Sequence, residues 1–171
     1  MSNRESMQKP DFLSEDEWAY LKDQTSSLGR IRSDGKADVE AYLANPEGRA
    51  AGKGPSGLPT LLLTTTGRKS GEPRTVALVF LQDGERLVIV ASLAGYDQNP
   101  AWYANLQANP ECQVQLDAVK RKAVARDATD AERQALWPRL VALLPLWDLF
   151  QKQTDRPFPI VILSPTGPAR S

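Results

Sequence analysis

Residues 60–93 read TLLLTTTGRKSGEPRTVALVFLQDGERLVIVASL, and this stretch decides the fold. Thr60–Thr66 is β-branched and apolar and stops at Gly67, which reads as a strand. Residues 73–82 form a near-continuous apolar run, the pattern of a strand covered on both faces. Asp83-Gly84 predicts a type I′ hairpin turn, after which 86–93 returns as the next strand. Downstream, 112–118 alternates through Val114 and Leu116, and Val119–Asp127 is spaced as its partner. Residues 160–163 make a last short strand, entered through Pro157 and Pro159. Six strands on mostly short connections predict an antiparallel barrel with helices, an α+β chain rather than a doubly wound sheet.

Helices flank and interrupt these strands. Ser14 with Glu17 is a capping box that predicts a helix carrying Trp18 and Leu21 on one face. A second helix is expected from Asp38 through Leu43, ending before Pro46. The stretch 48–59 is dense in Gly and Pro and reads as a loop. Residues 1–56 are therefore expected to be a helical arm and linker, and 57–171 the barrel domain. Asn99 is a candidate N-cap, with Pro100 at the first position of a helix running to Asn109-Pro110. Thr129 and Glu132 form another capping box, followed by the stripe Leu136, Leu140, Leu143, Leu144, Trp147 and Phe150. Pro138 and Pro145 are expected to kink or break that helix.

Composition narrows the chemistry. The 171 residues suit one domain, and 21 cations balance 21 acids, which argues against a general nucleic-acid binder. No run is long and apolar enough to span a bilayer, and the start, MSNRESMQKPDF, lacks the apolar core of a leader, so a soluble cytoplasmic protein is expected. One cysteine, Cys112, leaves no internal disulfide and no cysteine-cluster metal site. The absence of histidine removes Ser-His-Asp and Cys-His catalysis and an ordinary zinc site, so no metal is expected. A cofactor enzyme, a binding module or a carboxylate enzyme remains.

Neutrality hides an asymmetry. Residues 49–74 hold five cations (Arg49, Lys53, Arg68, Lys69, Arg74) against one acid, Glu72, whereas residues 1–48 hold six cations and ten acids. The tightest knot is TTTGRKSGEPR, 64–74. Arg forks, a Lys point charge, hydroxyls and backbone N–H groups in one turn are what an anionic ligand needs. On the turn alone, a soluble loop with solvated charges is the commoner reading. It is not a P-loop, because Pro73 leads into a strand rather than a helix. The second polar cluster is 91–105, where a strand ends in small residues and a helix N-terminus opens. Taken singly, it is an ordinary strand-to-helix connection with Trp102 as a core anchor. VKRKAVAR, 119–126, reads as a solvated strand face.

The motifs LTTTGRKSGEPR, DGERLVIVAS, NPAWYANLQANP and TDRPFPIVILSP occur in this order between Leu61 and Pro165. In this the sequence resembles the deazaflavin-dependent nitroreductase family, the F420H2-dependent quinone reductases with a split β-barrel. The resemblance implies a flavin-reductase or pyridoxamine-oxidase-like split barrel and coenzyme F420 as cofactor. It assigns the cofactor's phosphate and glutamyl tail to Arg68, Lys69, Ser70 and Arg74. Thr75, Val76 and Leu78, with Val90, Ala91 and Ser92, are expected to flank the deazaflavin ring. Pro100, Ala101, Trp102 and Asn105 are expected to border the groove. A histidine-free chain can then be an enzyme, because the hydride carrier is the ligand.

Substrate-facing positions of the family fall here on Val79, Leu144, Trp147 and Phe150, a wall without hydroxyls that suits an apolar acceptor. Within it, resemblance puts Trp147 in the pocket, while burial statistics put Phe150 in the core. The expected activity is hydride transfer from reduced deazaflavin to a quinone, enone or nitro-type acceptor. FMN in a related split barrel, or a non-catalytic deazaflavin carrier, are the alternatives. No general acid is assigned; Tyr103 lies on a motif helix. The expected partner is a small-molecule electron acceptor, without nucleic acid or stable membrane insertion, and a homodimer is among the states left open.

Overall fold

The computed structural model describes residues 7–170. Residues 1–6, half of the start read for a leader, lie outside the described residues. The described residues form α1 (Glu15–Gln24), α2 (Leu28–Ala44), β1 (Thr60–Thr66), β2 (Pro73–Val79), β3 (Leu81–Asp83), β4 (Arg86–Val90), α3 (Ala101–Ala108), β5 (Glu111–Leu116), β6 (Val119–Asp127), α4 (Asp130–Leu143), α5 (Leu146–Gln151) and β7 (Ile160–Arg170). The strands make one antiparallel sheet in the order β2-β1-β5-β6-β7-β4-β3.

The apolar run 73–82 is two strands, not one. β2 lies at one edge of the sheet and β3 at the other, yet only Phe80 separates them in the chain. The sheet must therefore roll until its edges meet, and Phe80, buried, sits at the closure with its N–H on the Pro59 carbonyl (3.1 Å). The result is a curled sheet whose two edge strands are linked through Phe80 without pairing to each other.

Burial on both faces explains the unbroken apolar strands. Leu87 and Ile89 of β4 and Val161 and Leu163 of β7 point into the barrel with Leu61, Leu63 and Val114. Val88, Val90, Ile160 and Ile162 point outward instead, under a second core built from Leu136, Leu140, Trp147, Phe150 and Phe158. A period of two would have shown alternation only if one face were wet.

Several boundaries differ from expectation for local reasons. The β3–β4 loop is Gly84-Glu85, with positive φ at Gly84 alone, so the turn follows the II′ pattern rather than I′. β7 continues to Arg170 because backbone pairing with β6 carries the exposed, sequence-silent half, 164–170. α2 starts at Leu28, capped by the Ser27 hydroxyl (3.1 Å from the Arg30 N); Gly29 and Gly35 weaken its periodic signal. α3 is capped by Pro100, because the Asn99 carboxamide is taken by Arg156 (2.8 Å). Pro138 sits inside α4, its ring and the orphaned Gln134 carbonyl's residue both exposed to water, and the break comes at Pro145 instead. Both capping boxes form as expected.

Tyr42 fixes α2 to the barrel. It is 1% exposed, donates to the Thr60 carbonyl (2.9 Å) and accepts from the Asp117 N–H (3.1 Å). The Asp117 carboxylate in turn accepts from the Ala50 N–H (2.8 Å), tying down the loop before β1. No helix among the described residues is long and apolar enough to cross a membrane, and no group of metal-ligating side chains gathers among them.

Two outcomes follow. Tyr42→Phe strands a buried carbonyl and an N–H, and should destabilise the protein by roughly 1–3 kcal/mol in urea melts; a change near zero would show the hydroxyl idle. Glu132 is held well below the ordinary carboxylate range, first by Arg126 and next by the Thr129 N–H. Its contribution is complete above about 4.5, its unperturbed value, and fades as the pH falls toward the lowered one. The Tm gap between wild type and Glu132→Gln should therefore be widest near neutrality and narrow below pH ~4.5; a gap constant from pH 7 to 3 would refute this.

Candidate functional site

The turn between β1 and β2 is held from within. The Gly67 N–H reaches the Glu72 carbonyl (2.8 Å) and the Gly71 N–H the Gly67 carbonyl (2.8 Å). The Glu72 N–H donates to the Ser70 hydroxyl (3.1 Å). A Cβ at Gly67 would come 2.6 Å from Ser70 Oγ and 3.1 Å from the Glu72 carbonyl, displacing the Ser70 hydroxyl, and Gly71 stands at φ +73°, where side chains are strained.

From outside, one side chain fastens the turn. Asn105 of α3 is 3% exposed, and its Oδ1 accepts from the Arg68 N–H (3.1 Å) and from Arg68 Nη1 (3.0 Å). Its Nδ2 donates to Thr65 Oγ1 (3.1 Å), and Thr65 is also buried. The two polar clusters read from sequence are thus one unit, joined by a carboxamide whose groups are satisfied on both sides.

This arrangement sorts the cations. Arg68 is tethered, while Lys69 and Arg74 are exposed and make no ion pair among the described residues; Arg74 Nη2 touches only the Ser70 hydroxyl (3.4 Å). Beside them, Thr64 and Thr75 share a hydroxyl hydrogen bond (2.8 Å) on the outer side of the β1–β2 pair. Two unpaired cations with adjacent hydroxyls form a donor set suited to a polyanionic tail, so the residues present fit the cofactor that the resemblance implies.

The remaining expected residues divide between two faces. Val76 and Leu78 pack inward on the barrel core together with Ala91 and Trp102. Val79 and Val90 pack outward, in the same cluster as Leu144, Trp147 and Phe150. The four substrate-wall positions are therefore neighbours, with Trp147 4% and Phe150 7% exposed. Because side chains alternate along β2, one planar ring cannot touch both Leu78 and Val79. Pro100 is buried, Ala101 exposed and Ser92 half-buried at the mouth between β4 and α3.

Sequence reasoning assigned no role to Arg156, and the structure makes it the organiser of the loop after β4. Its guanidinium donates to the carbonyls of Ala91 (2.9 Å), Ser92 (2.8 Å) and Tyr96 (2.9 Å), and to Asn99 Oδ1 (2.8 Å). Burial pulls its pKa below that of a free arginine. Such clamping holds Leu93 and Ala94 at φ +42° and +51°, a left-handed region that disfavours side chains. The signal was present in TDRPFP, an arginine between turn residues just ahead of a buried strand.

Tyr103, the residue on the motif helix, is not poised as an acid. The Tyr103 hydroxyl donates to the Asp127 carboxylate (3.1 Å), and burial, reinforced by that acid, pushes its pKa up to about 12. Burial likewise pushes the Cys112 thiol up to about 11.

Comparison with known proteins agrees with this geometry. The family model described as F420H(2)-dependent quinone reductase matches residues 31–165, beginning within α2, upstream of the first quoted motif. The F420H(2)-dependent quinone reductase Rv1261c of Mycobacterium tuberculosis is 33% identical over 128 residues, 73% of this chain and 86% of that protein. The solved F420-H2 dependent reductase FDR-A is 36% identical, with a TM-score of 0.58 over 62% of this chain and 94% of its own. A second solved structure, described as a domain-swapped dimer, is 31% identical with a TM-score of 0.58 over 75% and 96%. A chain matched over most of its length, with the same barrel and its two motif segments locked together by Asn105, belongs to the F420H(2)-dependent quinone reductase family.

Proposed function

We propose that this protein is an F420H2-dependent oxidoreductase that reduces a quinone-type acceptor in the cytoplasm. The observation that carries the reading is the turn 67–72, pinned by Asn105 so that Lys69 and Arg74 stand unpaired at the edge of β2. When bound, reduced F420 supplies the hydride. The chain's own part is binding, orientation and exclusion of water.

Lys69, Arg74 and the Ser70 hydroxyl would hold the phosphate and glutamyl tail, with Arg68 and Asn105 keeping the turn in shape. The half-buried Ser92, its carbonyl held by Arg156, would border the ring. Val79, Leu144 and Trp147 make the neighbouring wall apolar, which favours a quinone or enone over a charged acceptor. Tyr103 and Cys112, with pKa values raised to about 12 and about 11, are weak proton donors, and solvent would supply the proton that completes reduction. FMN carries a shorter anionic tail and would leave part of the cationic turn unused.

Lys69→Ala and Arg74→Ala should each weaken F420 binding by about 1–3 kcal/mol in a fluorescence titration, the scale of a charge-assisted hydrogen bond. Affinity should also fall as salt rises. F420 should bind more tightly than FMN, and F420H2 should be consumed with menadione. Tighter FMN binding would move the protein to the flavin branch, and F420 binding without turnover would make it a carrier.

A further inference from the structure

The end of the barrel opposite the Gly67–Glu72 turn holds an inward-facing cation that the reading above does not use. Arg121 of β6 pairs in register with Val114, which pairs with Leu63, and both of these partners lie inside the barrel. Directly opposed residues share a face, so Arg121 also starts inward. Its Nη2 donates to the Gly167 carbonyl (3.1 Å). Its Nε is buried, and no partner for it exists among the described residues. A buried donor without an acceptor is rare enough in folded proteins to require an explanation.

The same residue borders open space. A cavity of about 300 Å3 opens here, walled by Leu87, Val114, Leu116, Val119 and Pro165, with Gln82 at its rim. A second concavity of about 250 Å3 adjoins it through Arg121 and carries Lys120, Lys122 and Arg170. The one carboxylate at the first cavity, Glu85, makes no ion pair with Arg121 and is exposed to water. The potential at this end of the barrel is therefore positive, while the walls around Arg121 are aliphatic.

We propose that this cavity is a second ligand site, taking a small amphipathic carboxylate whose head accepts from the Arg121 guanidinium and whose apolar body lies on Leu116, Val119 and Leu87. A planar carboxylate matches the guanidinium fork side-on. A compact inorganic anion would satisfy the charge but leave the aliphatic walls bare. The lysines at the rim would speed entry of an anion without touching its apolar part.

The test uses the full chain, with octanoate, octanol and inorganic phosphate as probes in calorimetry and in NMR of the arginine Nε–H. Octanoate should bind, and should shift the Arg121 Nε–H resonance. Arg121→Gln should weaken octanoate at least tenfold, and Arg121→Lys, which keeps the charge but not the fork, should weaken it as well. Octanol should bind at least tenfold more weakly than octanoate. F420 affinity, read at the far end of the barrel, should be unchanged in both variants and reports that they are folded. The proposal fails if octanoate does not bind, if it binds both variants as it binds wild type, or if phosphate competes more effectively than octanoate.

Discussion

The carboxamide of Asn105 is the interaction on which the site depends. It spans a strand, a turn and a helix that lie forty residues apart in sequence, accepting two bonds from Arg68 and giving one to Thr65. Its burial matters as much as its partners. With water excluded, an unsatisfied amide there is costly, so turn and helix hold each other in one arrangement. One arginine of the turn is thereby tied through its N–H and Nη1 to the helix, while Lys69 and Arg74 make no ion pair among the described residues.

A similar economy runs through the barrel. The closure at Phe80 joins the two edges of the sheet, and two cores form back to back across β4 and β7. The inner core shapes the barrel, and the outer one seats α4 and α5. Arg156 then connects the last loop of the site to the chain just ahead of β7, so that hydrogen bonds hold Leu93 and Ala94 in the left-handed run that Gly95 completes at φ +81°.

Much of this was legible in the residues. The capping boxes at Ser14 and Thr129 and the strands at 60–66 and 119–127 were readable because local patterns encode them, whereas only the family resemblance brought the anion-suited turn and the NPAWYANL helix together. What escaped was mostly non-local. The split at Phe80 depends on which strand each half pairs with, and an apolar run cannot announce that. The early start of α2 is set by the Ser27 cap, and Gly29 and Gly35 hide it from periodicity. Likewise, Asn105 reads as a groove residue until its partners are seen, and Arg156 as a loop charge until its carbonyls are counted. The Ser164–Arg170 half of β7 is held by backbone pairing, to which side chains contribute no signal.

The account's central claim is that Asn105 serves cofactor binding by holding Arg68 and its turn. A double-mutant cycle on F420 affinity, using Asn105→Ala, Arg68→Ala and the pair, tests it most directly. The account predicts that the double variant loses little more than the worse single one, a coupling of roughly 0.5–3 kcal/mol for residues in one hydrogen-bond network. Losses that simply add would show that the two residues act separately, and would contradict it.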